Sequence, residues 1–119
     1  MKYLFTAPGL SAPTYETLEE HTYKAFGKIE RLVPQNGDGE ATLRISVAKE
    51  GDEFVVTGEL SVLGGCVSKE KNRDLRRAID KLSHEIRALI VKNKTKRRLN
   101  KMTDKIRNLR DQLLNRNIE

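Results

Sequence analysis

Polar and apolar residues alternate over Lys2, Tyr3, Leu4, Phe5 and Thr6, and Pro8-Gly9 ends the alternation, which predicts a short strand followed by a loop. The period then lengthens. Tyr15, Leu18, Thr22, Ala25/Phe26, Ile29 and Leu32/Val33 recur at three- and four-residue steps, the repeat of an amphipathic helix. Ser11 or Thr14 is suited to cap its start. Glu16, Glu19 and Glu20 fall in its early turns and Lys24, Lys28 and Arg31 in its later ones, the order that the helix dipole favours. Pro34-Gln35-Asn36-Gly37 is expected to stop it.

From Ala41 the period becomes two, with Leu43, Ile45 and Val47 on one side and Thr42, Arg44 and Ser46 on the other, so a second strand is predicted. Lys49-Glu50-Gly51-Asp52 reads as a turn, after which Phe54, Val56, Gly58, Leu60 and Val62 line one face of a third strand. Gly64-Gly65 offers the positive φ of a tight hairpin, returning Cys66 to Glu70 as an antiparallel partner. The remaining stretch reads as helix, with Leu75, Ile79, Leu82, Ile86 and Leu89/Ile90 as its apolar stripe and no Gly or Pro after Gly65 to end it. A second stripe, Leu99, Met102, Ile106, Leu109 and Leu113, follows heptad-like steps but is out of phase with the first, so the two are expected to face different things.

The order β-α-β-β-β-α implies an α+β fold: one four-stranded sheet with two helices packed on one face, plus a C-terminal helical extension. The first crossover makes the first two strands parallel if they are neighbours. The expected division is a domain over residues 1–98 and a basic amphipathic helical tail over 99–119.

Charge separates the halves further. Residues 1–65 carry 6 Lys/Arg against 10 Asp/Glu, a balance of −4, whereas residues 66–119 carry 17 against 7, a balance of +10. A polyanionic partner is therefore expected to meet the second half. No apolar run reaches the roughly 20 residues of a membrane span, and the first residues do not read as a signal peptide, so a cytoplasmic protein is expected. Cys66 is the sole cysteine, and with only His21 and His84 beside it no zinc set is expected. Cys66 reads as a small buried residue rather than a nucleophile. Asp80 and His84 sit four apart on a helix, but two ligands make no metal site and a salt link is the commoner arrangement. There is no Gly-rich phosphate loop and no Ser/His/Asp signature, so neither an enzyme nor a cofactor nor a small-molecule substrate is expected.

Four motifs in order carry a resemblance: Phe26-Gly27-Lys28-Ile29-Glu30 closing the first helix, Gly64-Gly65 at the hairpin, Asp74-Leu75-Arg76-Arg77-Ala78-Ile79-Asp80 opening the second helix, and Lys92-x-Lys94-x-Lys96 leaving it. Over roughly residues 14–98 the chain resembles the ribosome hibernation promoting factors and ribosome-associated inhibitors, in their short form without a C-terminal dimerisation domain. Arg76-Arg77 stands where that family usually has Tyr-Ala, Glu85 stands where a Lys is common, and the loop after the first strand lacks the usual Gly/Asn pattern. The resemblance implies a stress and stationary-phase factor that binds ribosomal RNA of the small ribosomal subunit, where messenger and transfer RNA would lie, and blocks translation.

The residues expected to meet RNA are Lys69, Lys71, Arg73, Arg76 and Arg77 before and at the start of the second helix, Lys81 and His84 on its outer face, and Lys92, Lys94, Lys96, Arg97 and Arg98 at the end of its first stripe. Lys24 and Lys28 can join them from the first helix, although Lys24 serves equally as a cation lying over apolar surface. His84 can stack on a base or be an ordinary surface residue. From Lys92 to Lys101 there are six positive charges and no acid, a repulsion that a polyanion relieves. Two other functions fit parts of this pattern: a general double-stranded RNA-binding module, and a coiled-coil interaction protein self-associating through residues 99–118.

Overall fold

The computed structural model describes residues 1–33, 41–62 and 64–118, of which 97–118 are described by their backbone alone. Strand β1 (Lys2–Thr6) turns Tyr3 and Phe5 inward and lies parallel to β2 (Thr42–Glu50), with Lys2 opposite Thr42 and Thr6 opposite Ser46. The crossover between them is α1 (Ala12–Gly27). Antiparallel β3 (Glu53–Leu60) and β4 (Cys66–Asn72) complete a sheet of order β1-β2-β3-β4. Gly51 (φ 58°) closes the β2–β3 hairpin, and Gly64 and Gly65 (φ 80° and 91°) turn the chain into β4. These are backbone conformations that a side chain disfavours. Helix α2 then runs without a break from Leu75 to Ile118.

The architecture is the expected α+β order, and the alternation read from the sequence selects the buried face. Leu43, Ile45, Val47, Val56 and Leu60 from the sheet meet Leu18 and Phe26 of α1 and Leu75, Ile79, Leu82, Ile86 and Ile90 of α2 in one core. Cys66 joins it at 1% exposure, and burial pushes its thiol pKa up, so it packs as a small apolar group. Gly58 fixes how closely α2 can approach: a Cβ there would sit 2.8 Å from Ile86 Cδ1 and 2.9 Å from Leu82 Cδ2. The missing side chain lets α2 lie directly on β3.

The first helix ends earlier than its apolar stripe. It stops at Gly27, and the chain tightens into a single 3-10 turn, Glu30–Leu32, through bonds from Ile29 N–H to Phe26 O and from Leu32 N–H to Ile29 O. Ile29 and Val33 stay buried because the turn carries them back onto the core, so the periodicity outlasts the helix. Tyr3 donates to Glu30 Oε1 at 2.6 Å, tying this turn to β1. The expected stop at Pro34-Gln35-Asn36-Gly37 lies outside the described residues. At the other end Ser11 occupies the N-cap position, but its hydroxyl meets that of Thr14 at 2.7 Å instead of a backbone N–H.

Thr22 is fully buried on α1, and its hydroxyl has no hydrogen-bond partner among the described residues. Thr22→Val keeps the shape and removes the desolvated group, so it is expected to stabilise the domain by about 1 kcal/mol. A thermal melt checks this: an unchanged or lowered midpoint would mean that water reaches the hydroxyl.

Candidate nucleic-acid interface

Helix α2 supplies most of the site, and its start is fixed locally. Asn72 Oδ1 accepts from Asp74 N–H (2.9 Å) and Asp74 Oδ1 accepts from Arg76 N–H (3.0 Å), an N-cap that seats Leu75 in the core and leaves Arg76 and Arg77 exposed on the first turn. With Ile79, Leu82 and Ile86 at zero exposure, the helical repeat turns Arg77, Lys81, His84, Lys92 and Lys96 outward. All five are exposed and Lys94 is half-buried. Arg73 lies exposed in the short link between β4 and α2. Arg97 and Arg98 continue the helix, with their side chains outside the described residues.

The two helices meet through His21 and Asp80, whose Nε2 and Oδ1 lie 2.8 Å apart. Asp80 is thus held by a histidine 59 residues away and not by His84. Thr17, Glu20, His21 and Lys24 of α1 line a groove with Arg76 of α2, placing two of the expected cations, Lys24 and Arg76, on the same cleft. Arg87, which the sequence reasoning left out, is exposed eleven positions after Arg76, a spacing of three helical turns that puts it on the same side of α2. The spacing itself carries its signal, which the denser Lys/Arg runs on either side obscure. Lys28 is exposed just beyond the C-terminus of α1.

The β4 lysines are separated from this cluster. Along β4, Cys66 and Ser68 turn toward the helices, so Lys69 and Lys71 alternate onto the opposite, open face of the sheet. Lys71 is ion-paired with Glu50 at 3.1 Å, which pushes its pKa up. Arg77 lies 3.9 Å from Asp74. Lys69, Arg73, Arg76, Lys81, Arg87, Lys92, Lys94 and Lys96 have no ion pair among the described residues. Of the expected residues with described side chains, those on α2 and Lys24 lie along α2 and the α1 groove, with Lys69 and Lys71 apart from them.

Two acids meet at the β4–α2 seam beside the basic surface. Glu85 accepts from Ser68 and shares a hydrogen bond with Glu70, which raises the Glu70 pKa and, together with the Ser68 bond, lowers that of Glu85. A raised carboxyl stabilises the fold only while protonated, and that contribution is lost as pH rises through its folded pKa. The lowered Glu85 contributes above its ordinary range and loses this as pH falls. When both are ionised they repel across the β4–α2 seam, so Glu70→Gln is expected to raise the melting temperature near neutral pH and to lose that advantage toward about pH 4. Parallel shifts of wild type and variant across the range would rule out the shared proton.

No group of three or more His, Cys, Asp or Glu that could hold a metal occurs among the described residues, and no helix there is long and apolar enough to cross a membrane. No family model matches the sequence, and no curated protein matches it. Solved structures do resemble it. A ribosomal subunit interface protein from Coxiella burnetii superposes with a TM-score of 0.57 at 16% identity, over 80% of this chain and 99% of that one. The Protein Y N-terminal domain of Thermus thermophilus superposes at 0.59 with 17% identity, over 76% of this chain and 96% of that one. Nearly the whole of each solved chain is matched, while about a fifth of this one lies outside the match. The chain thus has the fold of a ribosomal subunit interface protein and of a Protein Y N-terminal domain, the fold that the sequence resemblance implied.

Proposed function

We propose that this protein is a hibernation factor that binds the small ribosomal subunit through its RNA near the decoding region, competes there with messenger and transfer RNA, and represses translation without catalysis. Residues 1–98 form the ribosome-binding domain and residues 99–119 an appended tail. The observation that carries the reading is the row of exposed cations on α2, of which only Arg77 has an ion pair among the described residues, on a fold shared with ribosome-interface proteins. Charge supplies attraction in this scheme and the relief of the α1–α2 groove supplies fit. Aromatic base readers have little part, because Tyr3, Phe5, Tyr15 and Tyr23 pack against one another at the β1–α1 seam, Tyr3 on Phe5 face to face and the other pairs edge to face. Such a protein works in the cytoplasm, where ribosomes are.

The test is co-sedimentation of the protein with isolated small subunits. Bound protein is expected to be displaced by messenger RNA with initiator transfer RNA, and log affinity is expected to fall by about 0.7 to 0.9 per phosphate contact for each log unit of salt. Equal binding to free duplex RNA would make the protein a general RNA-binding module instead, and a flat salt response would remove phosphate from the mechanism.

A further inference from the structure

Helix α2 is continuous from Leu75 to Ile118, so the helical repeat relates positions in its second half to those in its first. The line that faces the sheet, Leu75, Ile79, Leu82, Ile86, Ile90 and Asn93, extends by the same three- and four-residue steps through Arg97, Asn100, Asp104, Arg107, Asp111 and Asn115, all polar, before reaching Ile118 at the helix end. The opposite line passes Ala88 and Val91, both exposed, the latter at 51%, and extends through Leu99, Met102, Ile106, Leu109 and Leu113. Amphipathicity therefore inverts along one uninterrupted helix just where the described core ends. Whatever covers the second stripe approaches from the side of α2 opposite its own sheet.

The charges around the stripe select the partner. Written as heptads with Leu99, Ile106 and Leu113 at a and Met102 and Leu109 at d, the e and g positions directly beside them are Arg98, Thr103, Lys105, Arg110 and Gln112, three cations and no acid. Asp104 and Asp111 both fall on the opposite line. Two copies joined along this stripe would set cation against cation, which disfavours self-association. A two-per-heptad stripe without any aromatic residue is also narrower than the apolar face of a helix that lies in a membrane surface. We infer that residues 99–118 are a docking helix for a partner protein that presents an apolar helical seam flanked by acidic side chains. The contact is a heterotypic coiled coil whose apolar positions give register and whose flanking cations give specificity. It is independent of how the α1–α2 surface binds RNA.

The probe is a labelled synthetic helix of about four heptads, long enough to be helical, with Ile at a, Leu at d and Glu at e and g, compared with the same peptide carrying Lys at e and g. Fluorescence anisotropy with the full chain is expected to show the acidic peptide bound at least about 10-fold tighter than the basic one. The double variant Ile106→Asp, Leu109→Asp is expected to lose this binding while keeping the melting temperature of the domain. Equal affinity for the two peptides, or binding that survives the double variant, would overturn the inference. So would a stable homodimer of the free protein in sedimentation equilibrium, or binding to anionic phosphatidylserine vesicles that the double variant abolishes in the absence of any preference for the acidic peptide.

Discussion

Ile79→Asp leaves the domain unfolded. Ile79 has no exposed surface and sits midway along the buried stripe of α2 between Leu75 and Leu82, against a sheet face of Leu43, Ile45, Val56 and Leu60. The substitution removes an aliphatic side chain worth roughly 2 to 5 kcal/mol of packing and transfer free energy and inserts a carboxylate with no cationic partner. Protonation relieves the charge only at a further cost near neutral pH. Against a total stability of about 5 to 15 kcal/mol for a domain, the combined loss exceeds what the fold can absorb. Circular dichroism is expected to show loss of the cooperative melt, and a retained melt within a few degrees of wild type would mean that α2 is not seated on the sheet as described.

Replacing Arg76, Arg77, Lys81, Lys92 and Lys96 together with Gln is expected to do the reverse, sparing the fold and removing ribosome binding. All five are exposed, and only Arg77 has an ion pair, a 3.9 Å contact with exposed Asp74 that surface screening makes nearly worthless. Removing one cation from a phosphate is expected to take about one unit from the slope of log affinity against log salt, so the five substitutions together flatten most of the salt dependence. Affinity for small subunits is expected to fall at least about a hundredfold near physiological salt, with the melting temperature nearly unchanged. Replacing Lys69 alone should change binding little, since it lies on the open face of the sheet. A loss with Lys69→Gln as large as with the fivefold variant would move the RNA to that face and refute the placement on α2.

The strands and the buried stripe of α2 were legible in the sequence because each is a local repeat with a strong contrast: Leu43, Ile45 and Val47 alternate with polar neighbours, and Ile79, Leu82 and Ile86 keep helical steps. The end of α1 was not, because burial and helicity part company there. Ile29 and Val33 remain in the core, and only the backbone bonds around Gly27 and Ile29 show that the helix has closed. The candidate site divides in the same way. Exposure of Arg77 and Lys81 followed from the phase of one helix, whereas the side of the sheet taken by Lys69 depends on which residues of β4 meet α2. The His21–Asp80 link joins positions 59 apart, and neither residue carries a local signal of the other. Pairings of that kind come from the packing of elements and not from any repeat within one.

The sheet order β1-β2-β3-β4 also sets a timetable for assembly. From Thr42 onward each partner in the sheet is the next strand along the chain, joined by the Gly51-Asp52 turn and then by the short loop through Gly64-Gly65, and α2 folds back at once over β3 and β4. β1 instead pairs with residues 40 positions away, Lys2 with Thr42, and must close the loop that contains α1 to do so. Closing a loop costs entropy that rises with its length, so the hairpins form before β1 docks. Val56→Ala, in the middle of the meander, is therefore expected to slow refolding, while Leu18→Ala in α1 mainly speeds unfolding, a contrast readable from the two arms of a chevron plot. A nascent chain would then hold its first forty residues in waiting until the segment bearing the cations has left the tunnel of the ribosome that made it.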